Sequence, residues 1–123
     1  MKSAEAFIPR VALFISEPNV LLEIEEILRI QYSSLLIVSE KHKLKEFPFP
    51  FIILVDRVKD VVDIRKLHPL KGTRILVILK EADGEVMGAA YDIGADDCIT
   101  HPFVKDVVIE KIEKYLEEFR QAA

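Results

Sequence analysis

Asp56 closes an uninterrupted apolar run, Phe51-Ile52-Ile53-Leu54-Val55, and His101 precedes Pro102 just after Asp97-Cys98-Ile99-Thr100. Ser16-Glu17-Pro18-Asn19 follows another apolar run, Val11 to Ile15, and Lys80 follows a fourth, Ile75 to Leu79. When such runs lie side by side as parallel strands, their carboxyl ends are where ligands and chemistry gather. A carboxylate, an imidazole that is partly charged near neutrality, a glutamate and a lysine would meet there. A nearby carboxylate favours the protonated imidazole, so Asp56 and His101 could pair. The plainer readings are an aspartate that caps the next turn and a half-buried polar histidine. Cys98, the single cysteine, has no Arg or Lys next to it in sequence to lower its pKa and reads as a packing residue.

The remaining residues serve other chemistries badly. Flavin and nucleotide phosphates are held by glycine- or hydroxyl-rich loops at helix N-termini. The loop Ser16-Glu17-Pro18-Asn19 is negative and lacks glycine, and none of the four glycines follows the first or third apolar run. No nucleophile-elbow motif is present, so the chain is expected not to be an enzyme and to carry no cofactor. The net charge of -4 gives no electrostatic grip on nucleic acid or an anionic membrane. Lys41-His42-Lys43-Leu44-Lys45 is the only clustered positive charge, and it reads as a solvated loop or short helix face. No apolar stretch reaches about 18 residues, the N-terminus lacks a signal-peptide core, and one cysteine fits a reducing compartment. A cytoplasmic protein is expected.

Short apolar runs at Val11 to Ile15, Leu35 to Val38, Phe51 to Val55 and Ile75 to Leu79 suit strands buried on both faces, and Asp97 to Thr100 is a weaker fifth. Amphipathic stretches separate them. Val20, Ile24, Ile27 and Leu28 share one helical face, and Val108, Ile112, Tyr115, Leu116 and Phe119 share another. Ser16 before Pro18 suits a helix cap with a first-turn proline. Asp83-Gly84 suits a turn into a helix from about Glu85 to Ile93, which Gly94 would end in the left-handed conformation. The segment Ser39 to Pro50 has room for about two helical turns. Arg57 to Gly72 must hold a third helix, which Pro69 would end. The pattern predicts a single domain over 1–123, with its core at about 10–119. Its class is α/β, a doubly wound (βα)5 three-layer sandwich around a five-stranded parallel sheet.

The run Gly94-Ala95-Asp96-Asp97-Cys98-Ile99-Thr100-His101-Pro102-Phe103 resembles the fifth-strand signature of response-regulator receiver domains, Gly-Ala-Asp-Asp-Tyr-Leu-Thr-Lys-Pro-Phe. The resemblance extends from about Arg10 to Phe119. It implies the flavodoxin-like strand order 2-1-3-4-5 and a cis bond between His101 and Pro102. It also implies a phosphorylation site made of an acidic pair that holds Mg²⁺, a phospho-accepting Asp, a Ser or Thr, and a Lys. Phosphoryl transfer needs such groups to neutralise developing charge.

On this pattern Asp56 stands as the phospho-acceptor candidate. The acidic pair falls on Ile15 and Ser16, the Ser/Thr on Leu79 and the Lys on His101, while Cys98 takes the place of the usual aromatic. All five are departures. Glu17, one residue late, and Lys80, one residue past Leu79, are the compensating candidates. Should Mg²⁺ bind, Glu17 and Asp56 would hold it. The chain thus resembles an atypical receiver, or pseudo-receiver. It is expected to act in two-component-type signal transduction as a protein-protein interaction module with a degraded phosphorylation site. The surface commonly used in that family corresponds to about Glu85 to Phe119. A protein partner, a fused effector domain beyond Ala123 or a second copy in a homodimer would bind there. Small residues Gly88, Ala89 and Ala90 with Tyr91 would either admit a partner closely or merely pack on the sheet. The alternative is a working receiver, phosphorylated on Asp56 by a histidine kinase or phosphotransfer partner.

Overall fold

A strand of Val, Ile and Leu without polar interruption is stable only where both its faces are covered. In the computed structural model, which describes residues 9–46, 52–67, 73–80 and 84–122, that cover is provided by helices on the two sides of one sheet. The strands are β1 (Arg10–Phe14), β2 (Leu36–Val38), β3 (Ile52–Val55), β4 (Arg74–Leu79) and β5 (Asp97–Thr100). All pair in parallel, in the order β2-β1-β3-β4-β5. Val11–Phe14 lie opposite Ile52–Val55, which lie opposite Arg74–Val77 on their other edge. The α-helices are α1 (Pro18–Gln31), α2 (Val58–Leu67), α3 (Gly84–Asp92) and α4 (Lys105–Ala122).

Successive residues of each strand alternate between two cores. Val11, Leu13, Ile52, Leu54, Leu76, Ile78 and Ile99 pack against α1 and α4. Ala12, Phe14, Ile53, Val55, Ile75, Val77 and Cys98 pack against α2, α3 and a short 3-10 helix, Lys41–Glu46. That 3-10 helix corrects the expected (βα)5 repeat, since four of the five strands, not all five, are followed by an α-helix. Its described buried residue is Leu44, too little apolar surface to anchor a longer helix on the sheet.

At the amino ends of β4 and β5 the signature run proves structural. Gly94 has φ +115, and a Cβ there would come within 3.3 Å of the Arg65 side chain. Arg65 of α2 donates to the Gly94 carbonyl at 2.8 and 3.1 Å and to Asp96 Oδ2 at 2.8 Å. The Asp96 carboxylate also accepts the Ile75 N–H at 2.8 Å. The expected role of Pro69 and the turn at Asp83 lie outside the described residues. No helix of the described residues is long and apolar enough to cross a membrane.

Candidate functional site

The strand order reverses between β1 and β3, so the loops leaving those strands diverge and open a crevice at their carboxyl ends. Ser16 and Glu17 follow β1, Asp56 and Arg57 follow β3, Lys80 follows β4 and His101 follows β5. These six side chains surround a cleft of about 240 Å³ floored by Val20 and Ile78. Four candidates of the sequence reading that could carry charge, Asp56, Glu17, Lys80 and His101, are therefore brought together, with Ser16 among them.

Within the cleft, Asp56 is already engaged. Its Oδ2 accepts the Ser16 N–H at 2.9 Å, the Ser16 hydroxyl at 2.8 Å and the Glu17 N–H at 3.3 Å. Its Oδ1 is buried without a hydrogen-bond partner among the described residues. The expected cap on α1 is corrected here. Pro18 does occupy the first turn, but Glu17 is the N-cap, with no side-chain cap bond. The Ser16 hydroxyl instead donates to Asp56, a charge-assisted bond that is stronger than the neutral one it would accept from a helix N–H as a cap.

The charged groups around Asp56 pair among themselves. Lys80 Nζ lies 3.1 Å from Glu17 Oε1, both well exposed, so the two compensating candidates occupy each other. Glu17 reaches Asp56 only through its backbone. His101 Nε2 lies 3.2 Å from Glu23 Oε1 on α1, and its ring meets Phe103 edge-on at 4.8 Å. The expected pairing of His101 with Asp56 is thereby corrected, since Glu23 offers a carboxylate not already taken by loop amides. Arg57 Nε donates at 3.3 Å to Asp60, which is 1% exposed and also takes Lys41 Nζ at 2.6 Å. Lys41 thus leaves the solvated cluster in which the sequence placed it. Arg57, Glu23 and Asp60 were missed by sequence reasoning. Arg57 could have been noticed as the cation adjoining Asp56, but no spacing signalled the other two.

Three departures from the receiver pattern lie outside the cleft lining. Ile15 packs on the α1/α4 core, and Leu79 and Cys98 lie on the opposite one. Leu79 therefore fills the α2/α3 side of the sheet and not the space beside Asp56. Burial pushes the Cys98 thiol up; the Tyr91 hydroxyl opposes this in part, and the smaller effects of Asp97, which raises it, and Lys111, which lowers it, follow. That environment suits a packing cysteine. Burial and the neighbouring thiol and carboxylate push Tyr91 up to about 12.

The His101-Pro102 bond is cis, as the resemblance implied. The receiver fold also implies Mg²⁺, and the residues present do not fit it. Mg²⁺ demands hard oxygen ligands in near-octahedral geometry. Here Ile15 is apolar, Ser16 is a neutral donor to Asp56, and Glu17 is paired with Lys80. Among the described residues no group of three His, Cys, Asp or Glu side chains is placed to hold a metal.

The fold and the position of this cleft define a doubly wound α/β domain with its site at the topological switch point. The structural neighbours of the chain are response-regulator receiver domains. The chemotaxis protein CheY4 of Vibrio cholerae superposes with a TM-score of 0.74 at 15% identity, over 89% of this chain and 99% of that one. A beryllofluoride-activated NtrC4 receiver domain dimer gives 0.71 at 20% identity, over 89% and 98%. An atypical orphan response regulator with a phosphorylation-independent regulatory mechanism gives 0.68 at 23% identity, over 88% and 95%. No family model and no curated protein matches the sequence.

Proposed function

We propose that this chain is an atypical receiver domain of two-component-type signalling that works as a protein-interaction module without phosphoryl transfer. The observation that supports this reading is the pairing pattern of the cleft. Lys80 goes to Glu17, His101 to Glu23 and Arg57 to Asp60, and none of them to Asp56. Transfer to Asp56 needs cationic groups aimed at the charge that develops on the equatorial oxygens. Ile15, Ser16, Leu79, Cys98 and His101 are read as the degenerate positions.

Titrating ¹⁵N-labelled protein with Mg²⁺ and then beryllofluoride, a mimic of an acyl phosphate, tests this. Amide signals around Asp56, Glu17 and His101 should stay in place at millimolar Mg²⁺. Shifts that start at Asp56 and spread into α3 would overturn it in favour of a phospho-accepting receiver.

The working surface in this reading runs from about Glu85 to Phe119. There Val86, Tyr91, Val104 and Val107 are exposed, and a cavity of about 280 Å³ opens between Met87, Cys98, Pro102 and Val107. An added Cβ on Gly88 meets nothing within 4 Å, so its smallness is not required by packing within the chain. It suits close approach by a second chain, a fused effector or another copy. Self-association through this face should weaken by about tenfold or more in Val107→Asp, the equivalent of one desolvated anchor, as read by sedimentation velocity. A chain that stays monomeric at high concentration would assign the face to a different partner.

A further inference from the structure

Two cavities meet at Ser16 and Arg57, and Asp56 lines the first of them. That one is the cleft already described. The other, of about 230 Å³, lies on the β2 side and is lined by Ser39, Lys41 and Asp60 together with Phe14 and Leu21. Ser16 and Arg57 wall both cavities. They therefore stand back to back at the strand-order reversal, where a doubly wound sheet has its natural crevice. What divides that crevice is the contact between the two loops: the Ser16 N–H, the Ser16 hydroxyl and the Glu17 N–H converging on Asp56 Oδ2. Glu17 is tied from outside by Lys80.

We infer that the Ser16-Glu17 loop is a closed latch on Asp56. The chain's own donors occupy Oδ2, the oxygen turned to the β1 loop, while Oδ1 stays buried without a partner among the described residues, and the closed loop divides the crevice into two compartments. The inference rests on the reading of Asp56 as an internal acceptor. The chemistry of the donor set carries it. Three hydrogen bonds to one carboxylate oxygen satisfy that oxygen as a metal ligand would be satisfied, and a neutral hydroxyl at position 16 adds no charge to repel Asp56. A second carboxylate at position 16 would reverse both conditions. It would repel Asp56, release the two amides and supply a second hard oxygen, which is enough for a Mg²⁺ or Mn²⁺ ion that keeps most of its waters.

Two measurements on the full chain test the latch. Amide hydrogen exchange at Ser16 and Glu17 should be slow in the wild type and should quicken by about tenfold in Asp56→Ala, as expected for loss of a charge-assisted bond. Asp56→Asn, which keeps the shape and a weaker acceptor, should fall between them and guards against a folding failure of the alanine variant. Paramagnetic broadening by Mn²⁺ at amides 16, 17, 56 and 57 should begin at concentrations at least about tenfold lower in Ser16→Asp than in the wild type. Wild-type amides that exchange without protection would sink the latch while leaving the interaction module intact. Wild-type broadening equal to that of Ser16→Asp would sink it too, because the metal would then displace the loop unaided. Beryllofluoride shifts with protected amides would overturn the module reading alone.

Discussion

Asp97→Ala will lower the unfolding free energy by about 3 kcal/mol, because it removes the shared acceptor of a partly buried polar cluster. Asp97 Oδ1 takes Lys111 Nζ at 2.8 Å and the Cys98 N–H at 2.8 Å, and Oδ2 takes the Tyr115 hydroxyl at 3.1 Å. The side chain is 14% exposed and that of Lys111 30%. The variant therefore leaves a cation that water reaches only in part with the Cys98 carbonyl, at 2.7 Å, and no counter-charge on Asp97, and it leaves Tyr115 with the Asp96 carbonyl, at 3.3 Å. Urea denaturation read by far-ultraviolet circular dichroism gives the number; a loss under about 1 kcal/mol would mean that the cluster re-solvates without cost. The same carboxyl governs acid behaviour. Burial alone would raise its pKa, but the bonds from Lys111, Cys98 and Tyr115 outweigh burial and hold it below the ordinary value. A depressed folded-state pKa contributes stability that is present above the unfolded value, about 4, and is lost as pH falls through the folded one. Stability should thus drop more steeply below about pH 4 in the wild type than in Asp97→Asn.

Asp60→Ala should cost about 2 kcal/mol, the second-largest effect. Asp60 is 1% exposed and joins Lys41 of the 3-10 helix to Arg57 beside the cleft. Breaking a fully buried ion pair from one side costs more, about 3–5 kcal/mol. Here Lys41 and Arg57 are 32% and 58% exposed and recover part of their hydration. Asp60 also lies in the first turn of α2, where a negative charge favours the helix. The loss should be accompanied by amide shifts in residues 41–44 and at Arg57, and a stability change without those shifts would place the whole effect in α2.

The strands were legible because burial on both faces leaves an unbroken apolar signature. β5 begins and ends where the sequence placed it, β4 begins one residue earlier, and β1 is shifted by one residue at both ends. Gly94 was legible through its left-handed backbone. The ion pairs were not. Glu23 meets His101 across 78 positions, and Lys41 meets Asp60 across 19. Such partners are chosen by where helices land on the sheet, and neither helical spacing nor composition encodes them. Ser16 was misassigned as a cap for the same reason. A hydroxyl before a proline satisfies the local rule, but a carboxylate 40 positions away offers it a charge-assisted bond, which is the stronger one.

The sparse burial of α3 has a thermodynamic corollary. Only Ala90 among its residues is buried, and Gly88 in its interior is about 1 kcal/mol less favourable in a helix than alanine. With so little tertiary packing, α3 draws on the low end of the local unfolding free energies. A molecule that binds its outer face therefore has to order it, and that entropic toll is subtracted from the affinity. The helix population of the unbound chain then sets the apparent dissociation constant, so recognition can be tuned from within α3 without altering any contact.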